Sequence, residues 1–482
     1  MGRSKDGPSG RSITGADFLQ LTRPASGLAD WLTSRLRTAI ADGRLPVGSR
    51  LPATRVLADE LRVSRGVVTE AYRRLIEDGQ AAGRGRGGTV VLAAPVAASH
   101  APAPDPPPVS AVFTEHPDLD LFESLRTIPA RIDLSPGVPD LAAFPRTAWL
   151  RAERKVLDEL SPAAFGYGDP RGAPAFRAAV ANWLARTRGI GVSPEEVIIV
   201  AGVAQALGLL AQVLRRNGTS EIAVEDPGSL GARRHLENWG MTTTPVPVDA
   251  AGIQVGGLTS PAVVLTPAHQ FPTGVVLDGR RRRELMRWTE AGGLIVEDDY
   301  DAEHRYDRPP VPALRSMLAE QVCYAGSVSK LLAPALRVGW LLVPRRYFRD
   351  VVAAKRDTDL GNAVLPQLVL AGLMTSGELE RQLRLLRRRH RRRRDAMIAA
   401  LAEHLPGARV HGGAAGLHLM VTFDADVSDV DFAAAAMSRG VKVQPLSWHR
   451  HRPGPPGLVL GYAATPPADI EQGIEILASV VT

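Results

Sequence analysis

The sequence predicts an α/β protein in two parts: a small basic head of three helices and a two-stranded wing, then a much larger body of alternating strands and helices. Three observations predict it. Charge is uneven, with 15 Lys and Arg against 9 Asp and Glu in residues 1–95, a balance of +6 in a chain whose total is +7. A compact cationic segment on a near-neutral body is the footprint of a polyanion-binding module. That segment is also patterned, so it is more than a solvated basic tail. In the body, apolar runs of strand type end in clusters of carboxylates and hydroxyls, above all Leu294-Ile295-Val296-Glu297-Asp298-Asp299-Tyr300 and Gly326-Ser327-Val328-Ser329-Lys330.

The head begins with Leu28, Trp31, Leu32, Leu36, Ala39 and Ile40 at helical spacing, with Ser26 available as a cap and Gly43 as a stop. Gly48 to Arg55 leads into a short helix reaching about Leu61. Ser64 is a good N-cap for a third helix that Gly79 closes. Ala81 to Val91 reads as strand–turn–strand, with Arg84, Gly85, Arg86, Gly87 and Gly88 at the tip. Three helices and a wing make a winged helix-turn-helix, whose third helix enters the major groove with its first residues against base edges. The expected DNA contacts are Arg50, Thr54, Arg55, Ser64, Arg65, Thr69, Arg84, Arg86 and Gly88. Arg55 and Arg65 are placed to read bases, because a guanidinium pairs bidentately with guanine. For any one of these arginines, an exposed charge without a partner is the competing reading. From Leu51-Pro52 through Thr89-Val90 the sequence resembles the GntR family of DNA-binding regulators.

A proline-rich tether follows, with Pro95, Pro102, Pro104, Pro106, Pro107 and Pro108. The expected division is an N-terminal arm over 1–25, the winged helix over 26–92, a linker over 93–125 and the body over 126–482.

In the body, Lys330 stands just past two hydroxyls, Ser327 and Ser329, and shortly before Arg337. A lysine amine condenses with an aldehyde as a Schiff base. The hydroxyls and the guanidinium suit a phosphate. Pyridoxal phosphate carries both groups, and its chemistry also needs an acid at the pyridine nitrogen, for which Asp298 is the candidate. The order of Thr266 to Gly274, Asp298 with Tyr300, and Lys330 with Arg337 resembles the fold-type I aminotransferases, with a smaller C-terminal α/β subdomain. The resemblance implies that Lys330 is the Schiff-base lysine and that Asp298 pairs with the ring nitrogen. It implies that Tyr300 is the chief donor to the ring oxygen, with His269 in the neighbouring loop. It places Ser327, Ser329, Arg337 and the first N–H groups of a helix at Val203 and Ala204 on the phosphate. Tyr167, in Tyr167-Gly168-Asp169-Pro170-Arg171-Gly172, would reach the phosphate of a partner subunit.

A GntR-type head on such a body is the arrangement of the MocR, or GabR-type, regulators, which the whole chain resembles. Phe271 before Pro272-Thr273-Gly274 fits those regulators, whereas aminotransferases place an asparagine there. Ser229 follows Asp226-Pro227-Gly228 where an aromatic commonly stacks, and Val459 stands where a substrate-binding arginine is expected. Arg450 or Arg452 is the available substitute. The expected function is a cytoplasmic, homodimeric transcriptional regulator that binds promoter DNA and senses pyridoxal phosphate or a linked amine. The alternative is an active aminotransferase with an autoregulatory head.

Other features bound the answer. One cysteine, Cys323, excludes an internal disulfide framework. Residues 1–24 lack the apolar core of a signal peptide. No apolar run approaches the roughly twenty residues of a membrane helix. The run from Arg381 to Arg394 reads as one amphipathic helix with Leu383, Leu386, Met397 and Leu401 inside and a solvated basic side, or as a secondary contact to the DNA backbone. His411, His418, His449 and His451 lack metal-ligand spacing, so no zinc site is expected.

Overall fold

Leu32, Leu36, Ala39 and Ile40 lie on one face of the first helix and are all fully buried, and they seed the core of the head. The computed structural model describes residues 27–85, 88–93, 119–306, 311–424 and 427–481, with positions 24, 113–115 and 117. Arg86 of the expected wing, Ser26, the arm and most of the proline-rich stretch lie outside the described residues.

The head comprises α1 (Leu28–Ala41), α2 (Thr54–Leu61), α3 (Arg65–Glu77), β1 (Ala81–Gly83) and β2 (Thr89–Val91). Gly27 precedes α1 in a left-handed conformation, so no side chain caps that helix. Ser64 caps α3 by accepting from Val67 N, at 3.4 Å. The wing strands pair antiparallel, Ala81 opposite Val91. Leu57, Leu61, Val68, Ala71 and Leu75 close the core between the helices. The buried Tyr72 hydroxyl donates to Pro52 O at 2.8 Å, tying α3 to the segment before α2.

The body is built on eight strands in the order β4 (Ile198–Val200), β11 (Gly339–Leu342), β10 (Val322–Ser327), β9 (Leu294–Asp299), β8 (Ala262–Leu265), β5 (Glu221–Asp226), β6 (Thr242–Asp249) and β7 (Gly252–Ile253). From β10 to β6 the pairing is parallel. It turns antiparallel at β11 with both its neighbours, and at β7. Parallel strands covered on both faces read as unbroken apolar runs. Here Ile295 belongs to the apolar layer on one face and Val296 to the layer on the other. A smaller sheet of β12 (Ala408–His411), β13 (His418–Phe423), β16 (Gly457–Gly461) and β15 (Gln444–Pro445) is antiparallel throughout. It forms a separate core with Phe432, Ile470 and Ile474. β3 (Ile132–Asp133) pairs in parallel with β14 (Val441–Lys442) beside it.

The last part of the expected linker packs onto this body. The Phe113 ring stacks on Trp448 with centroids 5.5 Å apart, and Phe122 and Leu125 are buried in the same core. Three large apolar side chains are reason enough for that stretch to dock. The arginine run lies in one helix, Glu378–His404, but its basic side is only partly solvated. Arg389 and Arg393 turn inward onto the buried carboxylate of Asp140 at 2.8 and 2.7 Å. Arg394 lies over the Tyr306 ring at 4.9 Å.

Candidate functional site

Parallel strands of one sheet end side by side, and β9 and β10 end in the polar residues that the sequence singles out. Ala325 of β10 is the register partner of Asp298 on β9, so the chain after Ser327 leaves the sheet beside Asp298 and Tyr300. Asp298 Oδ1 is shut off from water and has no hydrogen-bond partner. Burial and the neighbouring Asp299 and Asp301 carboxylates push this acid up to about 7, while the Lys330 charge pulls the other way. Lys330 is pulled down to about 8, chiefly by burial. Its amine donates to the carbonyl of Gly137.

The phosphate side is assembled by the antiparallel strand β11. It pairs with both β10 and β4, and so brings Arg337 next to the junction of β4 with the helix Val203–Arg216. Arg337 donates to Ala201 O. Gly202, beside the Arg337 guanidinium, has φ +90°, a backbone conformation that favours glycine. Ser327 and Ser329 share a hydrogen bond at 2.8 Å. Gln205 accepts from Ala201 N at 2.8 Å and fixes the first turn of the helix, where Val203 is half-buried and Ala204 exposed. Helix N–H groups, two hydroxyls and a guanidinium form an anion cradle.

The third wall is the loop with His269. Tyr300 Oη lies 3.0 Å from His269 Nδ1 and donates to His269 O at 3.1 Å. In this structure the hydroxyl hydrogen of Tyr300 is engaged by that backbone carbonyl. Asp301, which sequence reasoning did not single out, is 2.8 Å from the same Nδ1. Among the described residues, His269, Asp301 and His418 are a group of metal-ligating type, with ligand atoms within 4.8 Å of one another. The His269–Asp301 bond and the bond from His418 Nε2 to Pro272 O at 3.1 Å account for the group as a hydrogen-bond network. The histidine spacing alone gives no sign of it.

A cleft opens beyond Asp298, lined by Glu225, Gly228, Ser229, Arg233 and Thr266. Ser229 caps the helix Leu230–Asn238 by accepting from Ala232 N, so it offers no ring. Glu225, another residue that the sequence left unmarked, is pushed up to about 7 by burial. It accepts from Thr266 N and Oγ1 at 3.1 and 2.7 Å. Val459 is buried with Met420 and Leu446 against Phe271. Arg450 donates to Pro455 O at 2.5 Å, and Arg452 is exposed. Tyr167 is 94% exposed.

In the head, Arg50, Arg55, Ser64, Arg65, Thr69, Arg84 and Gly88 are exposed, and Thr54 is half-buried. Arg65 Nε donates to Thr54 Oγ1 at 3.4 Å, which joins the starts of α2 and α3. A Cβ on Gly88 would lie 3.5 Å from Arg50 Cδ, so the wing tip and Arg50 share one surface. The second half of α3 differs. Arg73 is paired with Glu70 and Glu77, and Arg74 with Glu70 and Asp30.

The residues present fit pyridoxal phosphate: an amine of lowered pKa, a buried carboxyl atom without a partner, and an anion cradle. Comparison with known proteins agrees. The profile of the family described as aminotransferase class I and II matches residues 130–477. That of the bacterial regulatory proteins, gntR family, matches residues 28–91. The chain is 32% identical to a probable rhizopine catabolism regulatory protein, MocR, of Rhizobium meliloti, over 93% of this chain and 92% of that one. It is 33% identical to the pyridoxine biosynthesis transcriptional regulator PdxR of Corynebacterium glutamicum, over 90% and 91%. The body superposes on the kynurenine aminotransferase of Pyrococcus horikoshii with a TM-score of 0.68 at 26% identity, covering 75% of this chain and 93% of that one.

Proposed function

The chain belongs to the MocR-type family of regulators, in which a gntR-family head precedes an aminotransferase class I and II body, and on that premise we propose that pyridoxal phosphate held on Lys330 is itself the signal that this transcriptional regulator senses. The carrying observation is the buried Asp298 Oδ1, without a partner and close enough to the Lys330 amine for the two charges to act on each other. When bound, the cofactor supplies an aldehyde for the amine, a phosphate for the cradle and an electron-withdrawing ring. Asp298 holds a proton at the ring nitrogen. Ser327, Ser329, Arg337 and the N–H groups at Val203 and Ala204 hold the phosphate.

The exposed Tyr167, with Phe165 61% and Leu150 64% exposed, supports a homodimer in which Tyr167 serves the partner's cleft. The exposed Arg50, Arg55, Arg65 and Arg84 of the head support promoter DNA as the partner and, with it, a cytoplasmic location. None of the helices in the described residues is long and apolar enough to cross a membrane. Val459 supports sensing over transamination, because a substrate carboxylate left unpaired in a buried pocket is costly.

A signal works by favouring one of two arrangements. Titrating pyridoxal phosphate into a promoter-binding assay tests this. Wild type should change its DNA affinity and Lys330→Ala should not. Identical responses would overturn the proposal.

A further inference from the structure

His269, Asp301 and Tyr300 make a closed triad. His269 Nδ1 is 2.8 Å from Asp301 Oδ2 and 3.0 Å from Tyr300 Oη. The His269 and Asp301 side chains are each 1% exposed. An ionised carboxylate only accepts, so the proton between them sits on Nδ1, and that N–H also faces the Tyr300 oxygen. Tyr300 then accepts from His269 and keeps its own hydrogen for an acceptor elsewhere. In this structure that acceptor is His269 O, at 3.1 Å. If the imidazole proton moved to Nε2, Tyr300 would donate to Nδ1 and have no hydrogen left to offer.

The surroundings hold the pair in place. A Cβ on Gly416 would lie 2.0 Å from His269 Cε1 and 2.8 Å from Asp301 Oδ2, so the backbone closes the pair on that side. The His418 ring packs 5.1 Å from His269 and uses Nε2 on Pro272 O. Phe271, with its ring 6.4 Å from that of Tyr300, offers no donor. Tyr300 is pushed well above the usual phenol range by burial and the Asp301 charge, and so remains a neutral donor.

We propose that Asp301 is a positioning residue: by holding His269 as an Nδ1–H donor, it reserves the Tyr300 hydroxyl hydrogen for the cofactor's ring oxygen. This rests on the reading of the cleft as a pyridoxal phosphate site. A donor to that oxygen stabilises its anionic form. Losing the donor therefore raises the pH at which the proton shared by the ring oxygen and the lysine-linked nitrogen is given up.

The test uses the full chain loaded with pyridoxal phosphate and follows the absorbance of the bound cofactor against pH. Asp301→Asn and Tyr300→Phe should each raise the midpoint by about one unit. The double variant should add nothing, because the two residues act through one hydrogen bond. A wild-type midpoint in Asp301→Asn beside a raised one in Tyr300→Phe would overturn the proposal and leave the cofactor reading intact. No shift in either variant, or no bound-cofactor band in wild type, would instead remove Tyr300 from the ring oxygen, and the proposal with it. If Asp301→Asn fails to fold, His269→Phe keeps a ring and removes the donor. The same rise is expected there, and an unchanged midpoint counts against the proposal.

Discussion

The head and the cofactor cleft use charge in opposite ways. On the surface formed by α2, α3 and the wing, Arg50, Arg55, Arg65 and Arg84 are exposed, with no acidic partner among the described residues. In the cleft, Asp298, Glu225 and Lys330 are withdrawn from water, and burial is the largest cause of each shifted pKa. The head is therefore expected to respond to salt and the cleft to pH. Exposed charges act through a field that ions screen, whereas buried groups act through the cost of ionising in a poor solvent.

The comparison can be broken first in the head. Arg65→Ala should cost about 1–3 kcal/mol of operator affinity and relax preference at one base pair. Arg84→Ala should weaken all sequences alike and lower the slope of log affinity against log salt by about 0.9. Arg73→Ala should leave the slope unchanged, because that guanidinium is already held by Glu70 and Glu77. Fluorescence anisotropy at several salt concentrations separates these cases. An Arg73 effect equal to that of Arg84 would erase the distinction between paired and free cations.

The cleft gives a smaller, pH-dependent effect. Asp298 and Glu225 titrate near 7 when folded, above their ordinary values of 3.8 and 4.5. Between those limits these two groups hold more protons in the folded chain than in the unfolded one, so their contribution to stability falls as pH rises from about 4 to about 7, while buried His304, His418 and His449, pushed down by burial, contribute in the opposite direction. Thermal melts of the cofactor-free protein and of Asp298→Asn should show that fall as a difference between the two. Adding pyridoxal phosphate should flatten it, because a protonated ring nitrogen compensates the Asp298 charge. A difference between the two proteins that stays constant over this range would show that Asp298 is not desolvated as described.

Much of the fold was legible because local signals agreed. Ser64 opens α3 as a cap, and Gly79 follows its end. The apolar runs of β9 and β10 stop at polar residues, and parallel neighbours put those ends together. The parts that stayed hidden depend on distant partners. His269 and Asp301 are 32 residues apart and meet only because β8 and β9 are adjacent. Arg393 finds Asp140 across 253 residues, so no local reading of the arginine run could tell its buried members from its solvated ones. Phe113 and Phe122 fall among prolines and polar residues, and only Trp448 reveals that this stretch docks.

The central claim is that one amine, on Lys330, takes up the cofactor. Borohydride reduction of the protein incubated with pyridoxal phosphate, followed by peptide mapping, tests it most directly. The account predicts a single stable label on the peptide containing Lys330, absent from Lys330→Ala. A label on another lysine, or none, would contradict it.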